Sequence, residues 1–515
     1  MHDNSGQMQT LSSYLALCAR TRHLPIPAVS RVFRSSAKSI VERSYPQNRC
    51  VGVTQGLVKA DQSLHPGPIL HPQRRKTPKQ VSRILPGPLS AAFSSRDLRS
   101  QHHSSDSYPA AVCRSKMAGT TDAAARDALV EDLLATQEYH IEFNGFLTNH
   151  LKHAVVALNR LQASPEQLKE NTDYYKNSTY GFGLEPPRKS EHTITEENWK
   201  EYFGLHSSFT SYCDFFDRKE KELGMEAVLK EYGPALLPGV VGSLTHSMIH
   251  LGWALDSKHR WMIIEGLAYA AFSFLSCHPE KSYPGLPQTT VLDSLLHVSE
   301  EFNTKNIRAW VASVSADPKY KDFQPVLAKT GIQFRIAKLL AEGHPLIHGT
   351  PAWIDGLKEE DIPGVFEQLY YGFTLFYLAV PGNFVALHIL TALWGIEHIS
   401  QTLPFEQRKM AIKCFWTGIL AVGFSTDAGI PPKDVLVGLH EKFSGAVDGT
   451  ASEVKGEDWE SVVGRAVKDY EEHNPKLVYV MREVWARYGK KSVYREAATH
   501  FTVTPNVGKN VEFKA

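Results

Sequence analysis

From Asp122 onward, apolar residues recur three and four positions apart, the spacing that lines one face of a helix. Leu129, Leu133 and Leu134 open this pattern. Asn149-His150-Leu151-Lys152-His153 runs into Ala-Val-Val-Ala-Leu-Asn-Arg-Leu as a second helix. Ser164 reads as the N-cap of the next helix, with Pro165 in its first turn. Thr193 or Thr195 predicts a start for a helix through Trp199 and Tyr202, and Tyr212–Phe216 for one ending near Gly233. Pro234 and Pro238 then break the chain. Further helices are expected over 239–256, 261–277, 408–424 and 458–472, and from His473 through Tyr488. His344–Pro351 reads as a loop. No segment alternates with period two for long enough to require a sheet. The pattern predicts about a dozen helices in an all-α fold.

One stretch qualifies this reading. Between Glu367 and Glu397 lie 29 residues without a formal charge, enough to cross a bilayer, which takes roughly 20. Pro381-Gly382-Asn383 divides it into two pieces. Each is nearer in length to a buried helix, so no membrane span is expected.

The chain has 515 residues and a net charge of +1, but its charge is unevenly placed. Residues 1–116 hold 17 Lys and Arg against 5 Asp and Glu, leaving 39 basic and 50 acidic residues for the rest. The acidic body gives no basic face for nucleic acid. Residues 1–116 are rich in Ser, Arg and Pro and lack a helical pattern, which predicts a disordered leader or a misassigned start before Met117. A working mitochondrial transit peptide is the other reading of such a leader. The folded region is then a single large helical domain over 117–515, in a cytoplasmic protein unless the leader is such a peptide. Six cysteines without a C-x-x-C pair argue against a disulfide scaffold or a cysteine zinc site.

The candidate chemistry lies in histidines on apolar helices. His246 and His250 are four apart among Leu244, Met248, Ile249, Leu251 and Trp253, with no charge before Asp256. At that spacing both imidazoles leave one helix face. His150 and His153 are three apart, His388 lies in Phe384–Trp394, and His473 begins the last long pattern. A buried imidazole needs a polar partner. That partner is a metal, a substrate or an acid, or else a backbone carbonyl in an ordinary core. Helical bundles build metal sites from such inward side chains, and imidazole suits Fe, Zn, Cu or Ni. No H-x-D or H-x-E begins at any of the six. An anionic ligand is available from Lys476, if its amine is neutral and adds carbon dioxide to form a carbamate, or from an acid distant in sequence such as Glu265 or Glu397. Neither G-x-G-x-x-G after a strand, G-x-x-x-x-G-K-[ST], H-E-x-x-H nor G-x-S-x-G occurs, so no dinucleotide-binding motif is present.

These segments together resemble a known family. Asn149-His150-x-x-His153, with Ala157-Leu158 and Ala163-Ser164-Pro165-Glu166, resembles the N-terminal signature of the questin oxidase-like proteins. Gly239 through Trp253 is similar to their second signature. Gly382-Asn383-Phe384-Val385-Ala386-Leu387-His388 with Thr391 resembles the third, and Glu472-His473-x-x-Lys476-Leu477 the last. The resemblance covers about residues 125–500 in order. It implies an oxidoreductase of polyketide secondary metabolism that inserts oxygen from O2 next to a ketone, a Baeyer–Villiger-type ring opening of an aromatic substrate. It also implies non-haem iron, Fe(II), held by histidines and a carboxylated lysine, with NADPH as a second candidate cofactor. The ligand candidates it gives are His150, His153, His246, His250, His388, His473 and Lys476, with His246, His250 and Lys476 as catalytic residues. Six histidines exceed what one iron takes, so some are expected behind the ligands or towards substrate. Pro475 sits inside the His-x-x-Lys element, so His473 and Lys476 meet only in a tight turn. The alternatives are an NADPH-dependent monooxygenase without iron and a non-catalytic helical scaffold.

Overall fold

The computed structural model describes residues 120–178 and 181–505; the basic leader expected over 1–116 lies outside the described residues. The chain begins with α1 (Thr120–Ala135), then a hairpin of β1 (Glu142–Phe143) and β2 (Leu147–Thr148) that turns at Asn144-Gly145, both with positive φ. There follow α2 (Leu151–Arg160), α3 (Pro165–Ser178), α4 (Phe209–Leu223), α5 (Met225–Leu236), α6 (His246–Ser257) and α7 (Arg260–Phe272). The middle of the chain forms α8 (Val291–Thr304), α9 (Ile307–Ala316), α10 (Ile332–Glu342), and two single turns, α11 (Pro345–His348) and α12 (Ala352–Asp355). Then come α13 (Ile362–Ala379), α14 (Phe384–Gln401), α15 (Phe405–Ser425), α16 (Lys433–Phe443), α17 (Trp459–Ala466), α18 (His473–Arg487) and α19 (Ser492–Thr499). The fold of the described residues is all-α, with that hairpin as its one sheet.

Helix α6 lies at the centre, packed between α7 and α14, while α18 packs on α2 and α14. Two close approaches set this packing. A Cβ on Gly252 would lie 2.2 Å from the Cα and carbonyl oxygen of Gly395, so α6 and α14 touch backbone to backbone. A Cβ on Gly266 would lie 2.6 Å from Leu251 Cα, so α7 also meets α6 at its backbone. Trp253 and Trp394, next in sequence to Gly252 and Gly395, are fully buried, and the Trp253 indole donates to the Thr391 carbonyl at 3.3 Å. An indole is buried at least cost when its N–H finds such an acceptor.

The chain breaks its helices largely where its sequence predicts. Ser164 and Gln167 exchange side-chain to backbone bonds, 3.3 and 2.9 Å, at the start of α3. The uncharged stretch divides at Val380–Asn383, and Asn383 caps α14 by accepting from the Ala386 amide at 3.0 Å. No helix of the described residues is long and apolar enough to cross a membrane.

Four expectations need correction. The segment 196–204 is a run of turns, because Asn198 bonds the Thr195 amide and the Thr193 carbonyl and so competes with a helix. The single helix expected to end at Gly233 is two, divided at Gly224, whose φ is +81. Pro234 sits inside α5 near its end, where the helix passes into a 3-10 turn. His344 is the cap of a helical turn, accepting from the Leu346 amide, where a loop was expected.

Candidate metal centre

Four helices bring their N-terminal ends to one point. His150 is the N-cap of α2, His246 and His473 are the first residues of α6 and α18, and His388 is in the second turn of α14. One ring nitrogen from each of these four lies within 4.8 Å of the others. The ring centroids form a closed circuit: His150 to His246 4.8 Å, His246 to His388 4.6 Å, His388 to His473 4.9 Å and His473 to His150 4.5 Å. None of the four is more than 5% exposed. A helix N-terminus carries a partial positive charge, so this point favours neutral imidazoles and an anion over added protons.

Three rings are oriented by local acceptors. His246 Nδ1 meets the Ser243 carbonyl at 2.6 Å, His388 Nδ1 the Phe384 carbonyl at 2.7 Å, and His473 Nδ1 the Glu471 carboxylate at 2.6 Å. Those acceptors require a proton on each Nδ1 and leave a lone pair on each Nε2. The three Nε2 atoms are buried and have no hydrogen-bond partner among the protein atoms. Leaving one such atom buried and unpaired costs about 1–3 kcal/mol; three around one point is the donor set that a transition metal satisfies.

The backbone before α6 is held in an uncommon conformation. Ser243, Leu244 and Thr245 are successive non-glycine residues with φ of 48, 54 and 70°. Such conformations cost of order 1 kcal/mol or more each and persist only when their surroundings fix them. Here the buried Glu142 carboxylate accepts from Ser243 Oγ at 2.5 Å and from Tyr269 at 3.1 Å, with His206 Nδ1 at 3.1 Å. Burial alone would raise the Glu142 carboxyl, but His206 and Ser243 bring it below its usual range.

Lys476 is 1% exposed, with its Nζ 2.7 Å from His150 Nδ1. Pro475 does not disturb this arrangement: it falls in the first turn of α18, where no helical N–H is needed. Burial holds the Lys476 amine down to about 7, against the opposing pull of Glu472 and Glu471. Burial likewise pushes His246 down to about 3, and burial above all, with the charge of Lys476 adding to it, keeps His150, His388 and His473 well below the usual imidazole range. The rings are therefore neutral at pH 7, the form that binds metal.

His153 and His250 stand behind this point. His153 Nδ1 is 3.3 Å from His150 Nδ1, and His153 Nε2 is 2.9 Å from His250 Nδ1. His250 Nε2 faces Glu265 at 3.7 Å, and Glu265 is paired with Lys152 at 2.5 Å. Of the two distant acids considered above, Glu265 is thus bound to Lys152, and Glu397 is held by Arg487 and Tyr370, both at 2.7 Å. Sequence reasoning missed Glu471, although Glu471-Glu472-His473 is an acid run read towards the histidine. Glu142 and Ser243 carry no sequence signal of their role. Phe384 is a partly exposed ring tilted against His388 at 4.4 Å between centroids and edge-on to His473 at 4.8 Å. A cavity of about 450 Å³ beside Trp353 and Asp361 touches none of these residues.

Comparison with known proteins places this geometry in context. Residues 147–481 match the family model described as Questin oxidase-like, a span from β2 into α18 that holds every residue of the cluster. The chain is 31% identical over 134 residues to the Baeyer-Villiger oxidase AgnL3 of Paecilomyces divaricatus, covering 24% of this chain and 28% of that protein. It is 26% identical over 149 residues to the Baeyer-Villiger monooxygenase dmxR6 of a Cryptosporiopsis species, covering 26% and 32%. It is 25% identical over 151 residues to the oxidoreductase AflY of Aspergillus parasiticus, covering 28% and 30%. The matched segments span less than a third of the length of these curated relatives.

Proposed function

The chain belongs to the questin oxidase-like family, and from that premise we propose that it is an oxidoreductase inserting oxygen next to a ketone of an aromatic or polyketide-like substrate. The names of two relatives support a Baeyer–Villiger outcome. The observation that carries a metal-dependent reading is the set of three buried, unpartnered Nε2 atoms of His246, His388 and His473. With His150 they would hold one transition-metal ion, Fe(II) in the first instance. Bound there, Fe(II) would supply the one-electron chemistry that lets dioxygen react with a closed-shell organic substrate.

The protein's own part follows from its contacts. Ser243, Phe384 and Glu471 hold three rings in the tautomer that aims Nε2 inward, and a carboxylate on Nδ1–H makes His473 the stronger donor. Burial keeps bulk water from the point where these rings meet. Lys476 would add the missing anion as its carbamate: a buried amine held near 7 is largely uncharged at mildly alkaline pH, and uncharged amine is the form that adds carbon dioxide. Four helix N-termini around it favour such an anion. His153 and His250 would then act behind the ligands.

A second reading, an NADPH-dependent monooxygenase without iron, is favoured by Lys476 alone, an amine poised near 7 for proton transfer. The test is oxygen consumption on a hydroxylated anthraquinone under labelled dioxygen, with Fe(II) and with NADPH added separately. Turnover that needs Fe(II) and puts labelled oxygen beside the ketone supports the proposal. Turnover of metal-free protein on NADPH supports the second reading. If neither addition gives turnover on any ketone tried, the helical scaffold remains.

A further inference from the structure

Three of the four converging histidines have their tautomer fixed by an oxygen that only accepts, but His150 does not. Its Nδ1 faces two nitrogens, Lys476 Nζ at 2.7 Å and His153 Nδ1 at 3.3 Å. Either nitrogen could donate or accept, so nothing adjacent to His150 decides which of its nitrogens carries the proton.

The decision can be traced along the chain of rings. Glu265 is buried and ionised: burial would raise its carboxyl, but the Lys152 ammonium and His250 bring it below its usual range. A carboxylate attracts an N–H and repels a lone pair. At 3.7 Å this is a charge contact longer than a hydrogen bond, but in a buried site it still favours His250 with its proton on Nε2. A neutral imidazole has one N–H, so His250 Nδ1 then accepts, and the 2.9 Å contact requires His153 to donate from Nε2. His153 Nδ1 is left with a lone pair. Its 3.3 Å contact is attractive only if His150 carries its proton on Nδ1.

We infer that Glu265 is a positioning residue which, through His250 and His153, sets His150 with its proton on Nδ1 and its lone pair on Nε2. All four rings then carry their proton on the same nitrogen, three by local acceptors and the fourth by a relay ending at the Lys152–Glu265 ion pair, two rings away. The same tautomer asks Lys476 for an acceptor, which the nitrogen of a free amine or an oxygen of a carbamate supplies and an ammonium does not. The value of this device for metal binding rests on the function proposed above, but the tautomer itself does not.

The test uses the full chain, metal-free, with 15N-labelled histidine. Long-range proton–nitrogen spectra report which ring nitrogen is protonated, and the His150 signals are identified by their loss in His150→Gln. The expected result is Nδ1–H for His150, His246, His388 and His473 alike. Glu265→Gln removes the charge that biases the relay; Lys152→Met with Glu265→Gln removes both charges, leaves no unpaired ammonium and guards against a misfolded single variant. In either variant His150 should move to the other tautomer or a mixture, while the other three signals stay. A wild-type His150 protonated on Nε2, or an unchanged His150 in the double variant, overturns the inference. Added Fe(II) then separates the two claims: the predicted tautomer in a chain that binds no metal would sink the metal reading alone. If both hold, iron affinity by chelator competition should fall about 10- to 100-fold in the double variant, as outer ligand-orienting contacts typically cost when removed.

Discussion

The backbone contact between Gly252 and Gly395 makes a sharp test, because two known effects oppose each other there. Replacing glycine by alanine inside a helix ordinarily stabilises by roughly 0.5–1 kcal/mol, since the unfolded chain loses freedom. At Gly252 the new methyl would lie 2.2 Å from Gly395 Cα and oxygen, where carbon contacts settle near ~3.5–4.0 Å. No side chain can rotate out of the way, so α6 and α14 must part by roughly 1.5 Å on that contact distance. Forcing extra volume into a packed core costs about 1–3 kcal/mol, so Gly252→Ala should lose stability by a net ~1–2 kcal/mol. Gly438 is the control: it lies in α16 with nothing within 4 Å of its would-be Cβ, and Gly438→Ala should gain the ordinary increment. The same movement would separate His246 from His388, whose rings are 4.6 Å apart, while metal–ligand distances tolerate only about ±0.2 Å. Urea unfolding followed by circular dichroism reads the first effect, and iron content after loading reads the second. A Gly252→Ala protein as stable as its parent and fully loaded with iron would refute this packing argument.

Two further outcomes follow from the charge states. In metal-free protein the cluster histidines titrate below their unfolded value of 6.5, so the unfolded chain binds more protons and stability must fall as pH drops below about 6.5. His246 alone, held at about 3, contributes on the order of several kcal/mol across that window; a stability that stays flat from neutral pH to about 4.5 would contradict its burial as a neutral ring. Lys476→Arg keeps a cation but cannot form a carbamate, so oxygen consumption should be abolished, with partial return in Lys476→Ala on adding acetate. Full activity of Lys476→Arg would remove Lys476 from the site.

The sequence shows much of this fold because its signals are local. Apolar spacing and the Pro381-Gly382-Asn383 interruption predict the two central helices, and Ser164 predicts the start of α3. Local signals misled where a side chain competed with the backbone, as Asn198 does, or where Gly224 rather than Pro234 ended a helix. The site is less legible. Spacing puts His246 and His250 on one helix face, but a turn of helix is long enough to give them different partners, one at the four-ring point and one against His153. Three rings are oriented by neighbours in sequence, but the groups that hold the Ser243 turn and the acid facing His250 come from elsewhere in the chain. Glu142 is 101 positions from Ser243, and Lys152 is 113 from Glu265. No periodicity reports contacts of that kind, and three left-handed residues in succession at Ser243–Thr245 have no composition that announces them.

Four converging histidines form the metal centre proposed above. Elemental analysis of the chain and of His246→Ala, both purified anaerobically and loaded with Fe(II), tests it most directly. About one iron per chain in the parent, falling sharply in His246→Ala while the helical signal and its thermal transition persist, is the predicted result. A parent protein that stays metal-free after loading, or a His246→Ala variant that is destabilised yet fully metallated, would contradict it.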